Sequence, residues 1–238
     1  MQSQALMAAL SLTLGACAST PMTSPAEFAG RTGHNSFELV RPGVTVADTL
    51  LLPVSHDQQE DPIACGAHAL ASIINYWQGE GTIRGADILA AHPPADAVAG
   101  YSMGELLRLA GTYGLIASAV RLPEDAIIAE LEAGRPVLVP VRVPAIFVQD
   151  WQLPGANVPV LGLPAAVVRS RAAWLSEQTG QNLVDHYVIA AGHEPGSFVV
   201  MDPVWGLRTI RTARLARYRE AFGNAAIVFS PLPQPPKE

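Results

Sequence analysis

The chain is short of cysteine, of clustered positive charge and of long apolar runs, and each shortage rules something out. Only two cysteines, Cys17 and Cys65, occur in 238 residues, too few for a disulfide framework. Lys and Arg form no cluster, and 15 basic against 21 acidic residues leave a net charge of -6, which argues against a nucleic-acid-binding surface. No apolar stretch reaches the ~20 residues that span a bilayer, and no internal repeat points to a solenoid. The chain is 49% hydrophobic and 15% charged, so it can bury a substantial core in one domain of ordinary size or two small ones. Its 20 prolines and 20 glycines predict long structured connections.

The first residues carry a short apolar run, Ala5 to Leu14, which fits the core of a signal peptide. The stretch Leu14-Gly15-Ala16-Cys17 resembles the bacterial lipobox, in which the cysteine is lipidated and becomes the mature N-terminus. That resemblance implies a lipoprotein signal peptide over 1–16, a lipidated Cys17 and a membrane partner through that anchor. No Lys or Arg precedes residue 31, so the positive start of a signal peptide is missing and a true start further upstream is expected. Ala18 stands where an aspartate would resemble an inner-membrane retention signal, so the expected location is the bacterial envelope, on the outer membrane facing the periplasm. A cytosolic protein with an apolar start is the alternative. Residues 17–45 are mostly small and polar, with Pro21, Pro25, Gly30, Gly33, Pro42 and Gly43, and read as a tether. The catalytic domain is expected over 46–230 and a Pro-rich tail over 231–238.

With Cys17 acylated, Cys65 has no disulfide partner. A lone thiol in an oxidising compartment either does chemistry or is buried as a small hydrophobe. Its setting favours chemistry. Ala69, Leu70, Ile73, Ile74 and Trp77 follow at helical spacing and Gly79 stops the helix. Cys65 therefore occupies the first turn, where the helix dipole favours the thiolate. Downstream, the spacing predicts helices over 83–91, 103–113 (opened by a Ser102/Glu105 capping box), 123–133 and 165–178. Strands are predicted over 117–122, 137–143, 187–191, 197–201, 207–210 and 225–229. Helices lead and strands follow, which predicts an α+β domain with the Cys65 helix packed on an antiparallel sheet.

A thiolate nucleophile needs a base, and histidine is the usual one. His186 opens a predicted strand whose hairpin partner ends in Asp202. A turn centred on Glu194 would set 186 opposite 202 and 188 opposite 200, within the reach of facing side chains. Asp202 would then orient the imidazole, whose other nitrogen takes the Cys65 proton; a slip of one residue would undo this. Gln59 is placed to donate its amide to an oxyanion beside the Cys65 backbone N–H, with Gln58 as an alternative.

Gln59, the Asp-x-x-x-Cys-Gly-Ala stretch of residues 61–67, the His186-Tyr187-Val188-Ile189 strand and Val200-Met201-Asp202-Pro203 together resemble the double-glycine-leader (bacteriocin-processing) peptidases, a papain-like family. The resemblance covers roughly residues 50–230. It implies a papain-like cysteine peptidase with Cys65 as nucleophile, His186 as base, Asp202 as orienter and Gln59 as oxyanion donor. It implies no cofactor and no metal, a peptide or protein substrate in the envelope, and cleavage after Gly-Gly. The chain departs from the transporter-fused members in having no membrane spans and no ATP-binding module, and from the usual motif in having Ala64 before Cys65. It is more similar to free-standing envelope members.

Three alternatives stay open at this level. Cys65, His68 and His186 can be drawn as a metal set, although zinc sites usually show two paired motifs and here only one pair is visible. The same triad serves acyl transferases, as in phytochelatin synthase-like and transglutaminase-like proteins. A papain-like fold can also persist as a non-catalytic binding module. Trp151, Trp174 and Trp205 are candidates for a substrate groove or for ordinary core packing, and residues 145–180 for a lid or for the wall of an acyl-side pocket.

Overall fold

The computed structural model describes residues 49–148 and 159–232, with only the backbone of 159–166. Cys17, the expected signal peptide and tether, and Trp151 lie outside the described residues. Among the described residues seven strands and six helices follow one another: β1 (Leu50–Leu51), α1 (Cys65–Gln78), α2 (Gly85–Ala91), α3 (Met103–Thr112), β2 (Leu115–Arg121), α4 (Glu124–Glu132), β3 (Val137–Pro144), α5 (Pro159–Thr179), β4 (Leu183–Glu194), β5 (Ser197–Asp202), β6 (Gly206–Arg211), α6 (Thr212–Glu220) and β7 (Ala225–Pro231). The strands form one antiparallel sheet in the order β2-β7-β3-β4-β5-β6, with β1 added against β4. The architecture is α+β, as predicted. Among the described residues no helix is long and apolar enough to cross a membrane.

α1 is the central helix. Every residue from Cys65 to Asn75 is buried, because the helix packs on β4 on one side and on α2 and α3 on others. Its start is built by a 3-10 turn, Pro62–Ala64, whose first free N–H, that of Ile63, is capped by the Asp61 carboxylate at 3.1 Å. Proline suits such a position because it has no N–H to satisfy. Gly79, at φ 114°, ends the helix. The predicted capping box is present at α3: Ser102 accepts from the Glu105 N–H while Glu105 accepts from the Ser102 N–H.

Several elements differ from expectation, among them β1, which was not expected. β4 begins at Leu183 rather than at 187, so His186 lies inside the strand, opposite Val141 of β3. α6 was not expected: its segment carries Arg214, Arg217 and Arg219 and few apolar residues. Arg219 is nevertheless fully buried, donating to Glu124 Oε1 and Asn224 O at 3.0 Å and to the Leu122 carbonyl, so polar tertiary contacts fix the helix. β7 runs to Pro231, the first residue assigned to the tail.

The β4–β5 register is also corrected. Near the turn Glu194 pairs with Ser197, His193 with Phe198 and Gly192 with Val199; then a bulge intervenes and Ala190 pairs with Val200 and Ile189 with Met201. His186 is therefore not directly opposite Asp202 but diagonal to it, two residues further along. A shift of two residues keeps a side chain on its face of the sheet, whereas a shift of one would not. The bulge supplies the extra residue that puts His186 on the face of Asp202. Gly192 sits at this point because β1 crosses it closely: a Cβ there would lie 2.2 Å from the Leu50 carbonyl oxygen.

Candidate active site

The helical half contributes the thiol and the sheet contributes the imidazole and the carboxylate. Cys65, at the first turn of α1, and His186, from the middle of β4, line the same open cleft of about 680 Å3. The cleft is also lined by Gly100, Tyr101 and Met103 and by Pro140, Tyr187 and Phe222. Tyr101 is seated directly against the Cys65 helix, where a Cβ on Gly66 would stand 2.9 Å from Tyr101 Cβ.

His186 Nε2 is 3.1 Å from Asp202 Oδ1 in a buried contact. Nδ1 is buried and has no hydrogen-bond partner, and the Cys65 side chain interacts with the ring. Burial by itself would hold the imidazole neutral, but the Asp202 carboxylate and the Cys65 sulfur outweigh it and push the ring up to about 10. Burial likewise opposes the charge on Asp202. The facing ring, the Val204 N–H at 2.8 Å and Arg208 outweigh it and hold the carboxyl below its ordinary value.

Gln59 is buried and Gln58 exposed, which favours Gln59 of the two. Its backbone N–H donates to the Pro203 carbonyl at 2.9 Å, beside Asp202. Its side-chain N–H donates to the Asp61 carbonyl at 3.1 Å, at the turn leading into Cys65. The amide carries a second N–H hydrogen. The turn thus holds one of the two amide hydrogens of Gln59.

The sequence reading missed several neighbours. Arg208 follows from the β5–β6 register, which pairs Val200 with Arg208 and Asp202 with Gly206; the guanidinium is diagonal to the carboxylate on one face. It stacks on Trp205, 5.5 Å from the ring centroid, and the Trp205 N–H donates to the Phe147 carbonyl. Trp205 thereby holds Arg208 instead of lining the cleft. Trp174 is exposed and carries Arg171 at 4.4 Å. No described side chain of 145–180 lines the cleft. His68, drawn above with a possible metal set, points elsewhere, its Nδ1 lying 3.2 Å from Asp57 Oδ1.

A central helix opened by a cysteine, packed on an antiparallel sheet that carries a histidine–aspartate pair, defines the papain-like peptidase fold. Among solved structures, a protein described as a candidate C39-like peptidase from Bacillus anthracis is 15% identical, with 78% of this chain and 99% of that one matched at a TM-score of 0.53. The peptidase domain of Streptococcus ComA, a bifunctional ABC transporter involved in a quorum-sensing pathway, is 13% identical over 76% of this chain and 98% of that one, with a TM-score of 0.48. A double glycine motif protease from an AMS/PCAT transporter, in complex with its leader peptide, is 16% identical over 76% and 94%, with a TM-score of 0.45. No protein-family model matches the sequence, and no curated protein matches it.

Proposed function

We propose that the chain is a papain-like cysteine peptidase that cleaves a peptide bond in an envelope or exported polypeptide. The observation that carries this reading is the shared cleft of Cys65 and His186, with the far side of the imidazole bonded to a buried Asp202. In this mechanism the Cys65 thiolate, paired with the His186 imidazolium, adds to the substrate carbonyl. The oxyanion is held by Gln59 and a backbone N–H, His186 protonates the leaving amine, and water then cleaves the thioester. Asp202 fixes the ring and stabilises its charged form.

Iodoacetamide labelling of the native protein tests the central claim. Cys65 should react faster than a free thiol at neutral pH, and labelling seen only after denaturation would identify a buried structural cysteine instead. Trapping in envelopes with Cys65→Ala and a crosslinker then identifies the substrate and separates peptidase from transferase by the acceptor found. We also propose the organisation outlined from the sequence: a signal peptide over 1–16, a lipid anchor at Cys17 and a tether leading to the domain. Cys17→Ser should release the protein from the membrane fraction, and unaltered fractionation would rule the anchor out.

A further inference from the structure

We propose that Asp57 and His68 are positioning residues that set the segment carrying Gln59 against the helix that begins with Cys65. The inference rests on the peptidase reading. The segment 52–59 bridges the two halves of the site. Toward the sheet, the Leu52 N–H donates to Ala191 O at 2.7 Å, His56 Nε2 lies 3.1 Å from Pro203 O, and the Gln59 N–H donates to that same carbonyl. Toward the helices, Asp57 faces the other way. One carboxylate oxygen is 3.2 Å from His68 Nδ1, and the other accepts the N–H of Gly85 at the start of α2.

His68 is one turn beyond Cys65 on α1 and is buried. Its ring is seated directly over Gly85, where a Cβ would stand 2.4 Å from His68 Cγ. Only glycine lets the imidazole reach Asp57 in this way. The imidazole is buried and the carboxylate partly so, and the two face each other without a hydrogen bond; desolvation offsets the attraction in such a pair, so it is a poor source of net stability, and the best-attested use of buried polar pairs is to fix register. What it fixes here is two residues away. The Gln59 side chain makes a single hydrogen bond and leaves Oε1 buried without a partner. The placement of its amide relative to the sulfur therefore depends on the backbone anchors at 57 and 59.

The test compares two reactions of Cys65 in the full chain. Iodoacetamide reacts by displacement at a tetrahedral carbon: a C–S bond forms, iodide leaves and no oxyanion arises. p-Nitrophenyl acetate is attacked at its carbonyl, passes through an oxyanion and yields a thioester with loss of p-nitrophenolate. Asp57→Asn keeps an acceptor for Gly85 but removes the charge facing His68. It should slow acylation by about tenfold to a hundredfold, the scale of a small misplacement, and leave the alkylation rate within about twofold. Gln59→Ala alone should slow acylation by about a hundredfold to a thousandfold, and adding Asp57→Asn to it should slow acylation no further. Parallel losses in both reactions, unchanged acylation, or effects that multiply in the double variant would each overturn the positioning role. If Asp57→Asn does not fold, His68→Gln is judged by the same criteria. A wild-type thiol acylated no faster than a free one sinks the peptidase reading and this inference with it, whereas rapid wild-type acylation that Asp57→Asn leaves untouched sinks the inference alone.

Discussion

At the scale of single residues, the site is an exercise in opposed terms. Burial pulls His186 toward its neutral form, and the Asp202 carboxylate with the Cys65 sulfur wins. Because the folded ring titrates at about 10 rather than at the ordinary 6.5, it binds a proton more tightly folded than unfolded. The stabilisation from that proton is complete below about pH 6.5 and is lost as pH rises toward 10. Asp202 has the opposite sign: its held-down carboxyl contributes above the ordinary carboxylate range and the contribution is lost as pH falls through its folded value. Urea unfolding followed from pH 6 to 10 should show the alkaline decline. In Asp202→Asn burial is no longer outweighed, so the ring should be neutral near pH 7 by NMR titration and that decline should flatten. An unchanged profile would show that Asp202 does not set the charge of the ring. Cys65, His186 and Asp202 stood out in the sequence as candidates because each falls at a recognisable junction, a helix start, a predicted strand start and a strand end, and the structure puts His186 and Asp202 in contact. Asp57 and His68 did not, because their pairing depends on the approach of α2 through Gly85, which no local pattern announces.

At the scale of elements, the predicted helices and strands followed from periodicity and punctuation: the Ser102/Glu105 box, the Gly79 stop, the apolar stripe of α1. The elements that escaped are those fixed by partners. α6 is held by Arg219, and β1 is two residues long. The hairpin register escaped for a related reason, since a bulge depends on both strands and on what crosses them. β1 crosses at Gly192, which gives an element-scale prediction. In Gly192→Ala the new methyl meets the backbone of Leu50, so β1 should leave β4 at a cost of about 1–3 kcal/mol. Amide exchange at Leu52, whose N–H donates to Ala191 O, should accelerate while α3 keeps its protection. Unaltered exchange at Leu52 would mean that β1 accommodates the side chain.

At the scale of the whole molecule, a single core joins the half that carries the sulfur to the half that carries the imidazole. Leu70, Ile73 and Ile74 of α1 pack in one cluster with Val139, Ile189 and Phe229 of the sheet. Leu70→Ala should cost about 2–5 kcal/mol, and the loss of native Cys65 alkylation should coincide with global unfolding in urea. Loss of the reactive thiol well before the fold would show that the two halves separate as independent units. The bulge in β4 has a consequence at this scale as well. Had the pairing near the turn continued without it, Tyr187 instead of His186 would share the face of Asp202. A phenol keeps its proton at neutral pH, so the nucleophile proposed above would be left without a base. The proposed chemistry thus hangs on counting by twos: between the imidazole and the hairpin, insertions and deletions should be tolerated in even numbers, or in odd numbers only where another irregularity takes up the remainder.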